Sequence, residues 1–208
     1  ASSYPDYLDF KNGVEALEDL SAHTLQPVLL TQRGESHRAM ANLMTGNTFE
    51  MLGLRAAYGR MLLRSEEPPG SHPVVVLSHA YWRTRFGADP GAVGQAIALN
   101  GHPHTIVGVG PEGFTGLFRG VAADMFVPLA MHDVLSRDPM GNRGNRGLMV
   151  LGRLRDGATV EATRAALGVV ASRLHETHRE TWTDVKNNPR VVSVLPESES
   201  RILPMVAT

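Results

Sequence analysis

The stretch from Pro73 to Leu129 places the strongest constraint on how this chain can fold. Within it, Asn100-Gly101 separates two apolar runs, Gln95–Leu99 and His104–Val109. Asn-Gly between apolar runs is typical of a tight β-hairpin, because both residues tolerate the positive φ angles of the turn. The sequence therefore predicts a packed, strand-rich module in the middle of the chain.

Propensity and spacing predict the remaining elements. Apolar, β-prone runs predict strands at Leu25–Thr31, Ser36–Thr45, Val74–Leu77, Met125–Val127, Leu148–Arg155 and Val191–Leu195. Helical spacing predicts helices within Tyr4–Leu20, interrupted at Asn12-Gly13, and over Phe49–Leu52, His79–Phe86 and a long segment after Thr159. The apolar stripe of that long helix is predicted at Ala162, Ala166, Val169, Val170 and Leu174. Trp82 and Phe86 lie four residues apart on one helix face and are predicted to pack in the core.

Two polar loops divide the chain. Residues 64–72, RSEEPPGSH, and residues 138–147, DPMGNRGNRG, are rich in proline, glycine and charge, and the second is predicted to be a mobile loop. Strands and helices lie at both ends, with the hairpin module between the loops. We therefore expect an α+β protein with a discontinuous βαβ subdomain, 1–63 and 147–208, and an inserted strand-rich subdomain, 64–146.

Composition narrows the function classes. The formal net charge is −1, and no long run of residues with the same charge occurs. This argues against non-specific electrostatic binding to nucleic acid or acidic lipid. The chain has no cysteine, so disulfides, thiol catalysis and cysteine-bound zinc are ruled out. No apolar run approaches the roughly 18–20 residues needed to cross a bilayer. The chain starts at Ala1 without a signal-like segment, so a processed chain or an excised fragment is expected.

A glycine pattern near the hairpin imitates a dinucleotide-binding fingerprint. The matching residues are Gly108, Gly110 and Gly113. A true fingerprint opens a long helix, with an acidic residue about 20 positions later. Here Pro111 lies inside the motif, and further glycines follow where the helix should run. The pattern predicts a strand followed by an irregular glycine loop, and no nucleotide cofactor is expected.

Histidine and serine patterns were weighed as possible catalytic sites. His175 and His178 share a helix face, so a metal site is geometrically possible, but the sequence favours a solvated polar helix end, where histidine also suits the C-terminal dipole. Ser78 and His79 are sequence neighbours and point in different directions on a helix, which favours Ser78 as the helix N-cap over Ser78 as a nucleophile. No catalytic, metal or cofactor residue is predicted.

Charged residues in the two polar loops are the remaining candidates for functional residues. Arg143 and Arg146, in the tandem GNRGNR, are the candidate contacts with an anionic partner or substrate. Glu66 and Glu67 form a carboxylate pair within the proline loop, where solvent is predicted to keep them ordinary acids.

The motifs resemble one protein family in combination. They are Ser78, Trp82, Phe86-Gly87, Asp89-Pro90, Val93-Gly94, Leu99-Asn100-Gly101 and Ile106-Val107-Gly108-Val109, flanked by Ser3–Tyr7, Gly46–Gly53, Gly59-Arg60 and Leu151–Gly157. This set resembles the extracytoplasmic core domain of MacB-like ABC transporter permeases, and best the group with FtsX-like membrane regions known as acidobacterial-type orphan permeases. One departure is Thr48, which stands where that family usually has an aromatic residue.

The resemblance implies a domain between the first and second membrane helices of a permease. It implies a porter-like subdomain, an inserted Sabre-like subdomain and a place in the periplasm, at the extracytoplasmic face of the bacterial inner membrane. The domain itself would be non-catalytic and monomeric when isolated. It would be tethered to the membrane in the parent protein, where it would couple movement driven by an ABC ATPase subunit or domain to substrates or extracytoplasmic adaptor proteins.

Two alternatives remain open on the sequence. The domain could be a stand-alone extracytoplasmic module that binds a small molecule or peptide in the cleft between its subdomains. It could also be a metal hydrolase that depends on His175 and His178.

Overall fold

The computed structural model describes residues 1–67, 73–118, 120–136 and 138–197 of the chain. The helices in these ranges are α1 (Tyr4–Gly13), α2 (Thr48–Leu52), α3 (His79–Arg85), α4 (His132–Leu135), α5 (Val160–Thr177) and α6 (Arg179–Trp182). The strands are β1 (Leu17–Gln32), β2 (Glu35–Met44), β3 (Tyr58–Gly59), β4 (Val74–Leu77), β5 (Ala96–Leu99), β6 (His102–Val109), β7 (Met125–Pro128) and β8 (Met149–Leu154). None of the helices in this part of the chain is both long and apolar enough to span a membrane.

The chain divides into two compact units. The first, which we call the terminal unit, contains Ala1–Leu20, Gly141–Arg146 and Val150–Thr208. The second, the strand-rich unit, contains Ser21–Met140 and Gly147–Met149. An α+β protein with one discontinuous unit built from both ends of the chain and one strand-rich unit is therefore confirmed.

The first division falls between Leu20 and Ser21, whereas the sequence suggested a subdomain boundary at 63/64. The reason is strand pairing: β2 pairs with β7, and β1 pairs with β5. These pairings join residues 21–63 to the middle of the chain. The subdomain boundary at 63/64 stays a prediction.

Six strands of the strand-rich unit pair in a closed ring. The order is β1-β2-β7-β4-β6-β5 and then β1 again, while β3 pairs with β6 from outside this path. The pairings β2–β7 and β4–β6 are parallel, and the others in the ring are antiparallel. The core is aromatic on one side, where Phe49 meets Phe126 edge to face with ring centroids 5.4 Å apart.

Two tight turns close the hairpins of this ring. Asn100 and Gly101, between β5 and β6, have φ angles of 49° and 84°. Arg33 and Gly34, between β1 and β2, have φ angles of 50° and 84°. Two successive positive φ angles suit the right-handed twist of the flanking strands. The predicted Asn-Gly hairpin is confirmed, and the strands predicted on either side of Gly34 pair with each other.

Thr48, the residue that departs from the family pattern, is fully buried. Its Oγ1 lies 2.6 Å from Ser21 Oγ and donates to the Thr45 carbonyl oxygen at 2.7 Å. A small hydroxyl side chain at this position is thus satisfied by two partners of the strand-rich unit.

The terminal unit contains α1, the first residues of β1, β8, α5 and α6. The Arg155 N–H donates to the Ala16 carbonyl oxygen at 3.0 Å, just beyond β8. α5 begins as predicted, since Thr159 Oγ1 accepts from the Ala162 N–H at 3.1 Å. Its buried residues are Thr163, Leu167, Val170, Ala171 and Leu174. The predicted stripe is therefore confirmed at Val170 and Leu174 and wrong at Ala162 and Val169, which face solvent.

Two further element predictions are wrong. The first helix ends at Gly13, and Leu17–Leu20 is the start of β1 rather than helix. The run Val191–Leu195 forms no strand, and Val191 is 89% exposed. Apolar β-prone residues need a neighbouring strand to satisfy their backbone groups, and none of the strands described above pairs with this run.

Candidate functional site

The two arginines singled out in the sequence converge on one buried carboxylate in the terminal unit. Asp6 is fully buried, and Arg143 Nη1 donates to its Oδ1 at 2.5 Å. Arg146 Nη1 lies 2.7 Å from Asp6 Oδ2, and Trp182 Nε1 donates to Oδ1 at 2.9 Å. Arg143 Nη1 also donates to Asp9 Oδ2 at 2.7 Å. We call these five residues the arginine clasp.

Local sequence chemistry builds the clasp from both sides. Ser3 caps α1, with its Oγ accepting from the Asp6 N–H at 3.2 Å, so Asp6 lies in the first turn, where the helix dipole favours a negative charge. In the GNRGNR segment, Asn142 Oδ1 accepts from the Gly144 N–H at 2.9 Å. The Asn142 carbonyl oxygen accepts from the Asn145 N–H at 3.0 Å. This turn directs both arginines to one side, towards α1.

Arg146 is held by more than its charge. Its guanidinium lies over the Trp182 ring, 4.9 Å from the ring centroid, which is a favourable cation–π distance. Its Nη2 donates to the Thr181 carbonyl oxygen at 3.0 Å, and Arg190 Nε donates to the same oxygen at 3.0 Å. Trp182 is itself buried, with its ring edge-on to Phe10. The clasp thus joins three chain segments, namely α1, residues 141–146 and α6.

The two arginines experience different electrostatic surroundings. Burial lowers the pKa of Arg143, but its hydrogen bonds to Asp9 and Asp6 outweigh burial and raise that pKa above its ordinary value. For Arg146, burial dominates over the attraction of Asp6, so its pKa is lowered. A guanidinium remains charged at any ordinary pH, so both arginines present a permanent positive charge to the carboxyl groups of the clasp.

The structure places the candidate partner contacts, Arg143 and Arg146, mostly inside the terminal unit. Their side chains are 18% and 16% exposed, and each contacts Asp6. Part of the Arg143–Asp9 pair reaches the surface, since the Asp9 side chain is 39% exposed. Contact of these arginines with an external partner stays a prediction.

The glycine pattern near the hairpin is explained by packing. A Cβ atom on Gly108 would lie 2.0 Å from the Arg60 carbonyl oxygen, because β3 and β6 approach closely there. Gly113 has a φ of 82°, in open space. The chain continues as irregular turns before β7. The predicted strand followed by an irregular glycine loop is confirmed.

The histidine pair lies at the end of α5. His175 Nδ1 is 3.2 Å from the Trp182 carbonyl oxygen, and His178 ends α5 and precedes α6. Across residues 1–67, 73–118, 120–136 and 138–197, no group of three histidine, cysteine, aspartate or glutamate side chains is placed to hold a metal ion. His178 is exposed at the C-terminal end of α5, as the helix-end interpretation predicts.

Trp82 on α3 and Phe86, which follows the end of α3, differ in burial. Trp82 is 4% exposed, and its Nε1 donates to the Asp89 carbonyl oxygen at 2.8 Å, so its predicted burial is confirmed. Phe86 is half-buried. Ser78 Oγ accepts from the Tyr81 N–H at 3.3 Å, which confirms Ser78 as the N-cap of α3.

Two buried polar residues were missed by the sequence analysis. His23 is 6% exposed on β1, with its ring edge-on to Phe118 at 5.0 Å, and burial lowers its pKa from 6.5 to about 4. Glu66 was expected to be solvated, but its side chain is only 3% exposed. It accepts from the Leu63 N–H at 2.8 Å and pairs with Arg60 Nη2 at 2.7 Å. Met61 and Leu62, which separate Arg60 from Leu63, carry no charge. No local pattern in the sequence marked Glu66 as buried.

Comparison with known proteins identifies the family. A family model for the MacB-like periplasmic core domain matches residues 1–169. The chain belongs to the MacB-like periplasmic core domain family. It is the periplasmic core domain of a MacB-like ABC transporter permease.

Solved structures share the fold of this MacB-like domain. The extracellular domain of the noncanonical ABC-type transporter YknZ from Gram-positive bacteria has a TM-score of 0.66 at 17% identity, covering 92% of this chain and 89% of that one. The periplasmic region of MacB from Actinobacillus actinomycetemcomitans has a TM-score of 0.66 at 16% identity, covering 91% and 85%. No curated protein matches the chain significantly.

Proposed function

We propose that this MacB-like domain transmits movement, driven by the ATPase that works with the permease, to substrates or partner proteins in the periplasm. In this proposal the domain is not itself an enzyme, and extracytoplasmic adaptor proteins are among its partners. The isolated domain is proposed to be a monomer. The permease family supports the link to an ATPase.

The observation that carries the proposal is the discontinuous terminal unit. The chain leaves this unit after Leu20, returns for Gly141–Arg146, and returns again at Val150. The strand-rich unit is therefore connected to the terminal unit by several covalent crossings rather than by one linker. Several short crossings constrain relative motion more than a single flexible linker does, which suits a part that transmits displacement.

The chemistry of the clasp supports a mechanical role over a catalytic one. Catalytic acids and bases commonly face a cleft, where they can reach a substrate. The clasp instead pairs a buried carboxylate with two guanidiniums and an indole N–H. A guanidinium stays protonated near neutral pH and so cannot serve as a general base, whereas its hydrogen bonds can hold chain segments together.

Hydrogen exchange measured by mass spectrometry on the whole permease tests the proposal. The permease and its ATPase would be reconstituted in nanodiscs and compared with and without ATP. We expect ATP to change amide protection in α1 and also in strands of the strand-rich unit. A domain whose protection is indifferent to nucleotide in both units would contradict the proposal. A small molecule or peptide retained in native mass spectra of the isolated domain would favour the binding-module alternative instead.

A further inference from the structure

We propose that the arginine clasp fixes residues 141–146 to α1, so that a displacement of α1 is passed along the chain to the strand-rich unit. We call residues 141–146 the 141–146 crossing. This inference rests on the proposed transmission function and names the residues that would carry it. The crossing is short: six residues, Gly141–Arg146, belong to the terminal unit, and the chain on both sides of them belongs to the strand-rich unit.

The clasp holds this crossing through side chains, since the crossing itself has little else to hold it. Residues 141–147 form turns without helix or strand, and five of these seven residues are glycine or asparagine. A segment of this composition has high conformational freedom, which must be removed by specific contacts if it is to transmit force. The contacts described for it within the terminal unit come from Arg143 and Arg146.

Burial makes the ion pairs of the clasp costly to break. Asp6 is fully buried, and a buried charge that loses its partners is strongly destabilising, whereas an exposed ion pair contributes little. Two arginines reach the same carboxylate, so the loss of either leaves the other in place. Arg143 Nη1 carries two N–H groups and bonds Asp6 and Asp9 at once, so one guanidinium nitrogen holds two carboxylates of α1.

The clasp also includes the later part of the terminal unit. Trp182 donates to Asp6 and lies under the Arg146 guanidinium. Because Trp182 ends α6, the chain beyond α5 is tied to the same carboxylate as the crossing. A shift of α1 would therefore move the 141–146 crossing and α6 together.

The test uses the whole permease with its ATPase in nanodiscs and hydrogen exchange with and without ATP. Asp6→Asn removes the charge with little change of shape. Without nucleotide, we expect amides of residues 141–146 in this variant to exchange roughly 100-fold faster than in the unaltered permease. With ATP, α1 should still respond, and the response of the strand-rich unit should be reduced, because the crossing within β1 remains. Arg173→Gln is the matched control, because Arg173 is an exposed arginine of α5 in the same unit.

Two results would overturn the inference. One is exchange in residues 141–146 of Asp6→Asn that matches the Arg173→Gln control. The other is an ATP response of the strand-rich unit that is as large in Asp6→Asn as without the substitution. Failure of the transmission function itself would look different, since the unaltered permease would then show no ATP response in either unit. If Asp6→Asn does not fold, Arg143→Lys keeps the charge but loses the guanidinium Nη1 that bonds Asp6 and Asp9, and the same two readouts apply with a smaller expected acceleration.

Discussion

His23 is expected to make the strand-rich unit sensitive to acid. Its imidazole is buried on β1 beneath Phe118, and its Nδ1 lacks a hydrogen-bond partner. Burial lowers the pKa of His23 from 6.5 to about 4, because the charged form loses its hydration. Protonation in the unfolded chain carries no such penalty. Below about pH 6.5, therefore, the unfolded chain takes up a proton that the folded unit resists.

The sign and size of the effect follow from this difference. The folded pKa is lowered, so the stability that depends on a neutral His23 is complete above pH 6.5 and is lost as the pH falls towards about 4. One pKa unit corresponds to about 1.4 kcal/mol, so the loss reaches about 3 kcal/mol. For a domain with a typical stability of about 5–15 kcal/mol, this is a large fraction.

The assay exploits the two tryptophans, one in each unit. In a Trp182→Phe background, Trp82 reports the unfolding of the strand-rich unit alone. Urea unfolding of His23→Leu in that background would be compared with the background protein at about pH 8 and about pH 4. We expect the background protein to lose about 3 kcal/mol more than His23→Leu between these two conditions.

A matched control and a clear contrary result complete the design. His178→Leu removes an exposed histidine and should keep the pH dependence of the background protein. If His23→Leu also keeps that dependence, the buried imidazole is not the source of acid sensitivity. The reasoning from burial would then be refuted.

Three other predictions concern stability and are checked by urea unfolding with the tryptophan of the relevant unit. Gly108→Ala should lower the free energy of unfolding by at least about 3 kcal/mol, because its Cβ would meet the Arg60 carbonyl oxygen. Gly113→Ala, which lies in open space at positive φ, should lower it by about 1 kcal/mol. Equal losses in the two variants would contradict the packing explanation. Thr159→Ala should destabilise the terminal unit by about 1 kcal/mol through loss of the α5 N-cap, with Thr159→Ser retaining most of it. Thr48→Phe, which restores an aromatic residue usual in the family, should cost about 2 kcal/mol or more in the strand-rich unit, and a stabilised variant would show that the buried hydroxyl contacts are unimportant.

Local chemistry made much of the fold predictable. The Asn100-Gly101 turn, the Ser78 and Thr159 caps and the end of α2 at Gly53 are each decided by a few neighbouring residues. Such features depend on which φ angles and hydrogen bonds a residue can adopt, so they can be read in sequence.

Features that join distant residues were not predictable in the same way. Residues 21–63 belong with the strand-rich unit because β2 pairs with β7, which follows some 80 residues later in the chain, and no local pattern encodes that partner. Likewise, the sequence singled out Arg143 and Arg146 as charged residues in a glycine loop. Their partner within the chain, Asp6, lies at the other end of the sequence, so no local pattern revealed this internal contact, and contact with an external partner stays a prediction.

The closed ring of strands has a consequence for how this domain is made. β2 pairs with β1 on one side and with β7 on the other. β2 ends at Met44, but β7 begins only at Met125. Pairing of such distant segments is slow, because loop-closure entropy must be overcome before the contacts form. Until β7 arrives, a partly synthesised chain would leave one side of β2 open to strands of other molecules, a known route to aggregation. Once the ring closes, every one of its six strands has neighbours on both sides, and the finished unit is protected from the association that threatens its precursor.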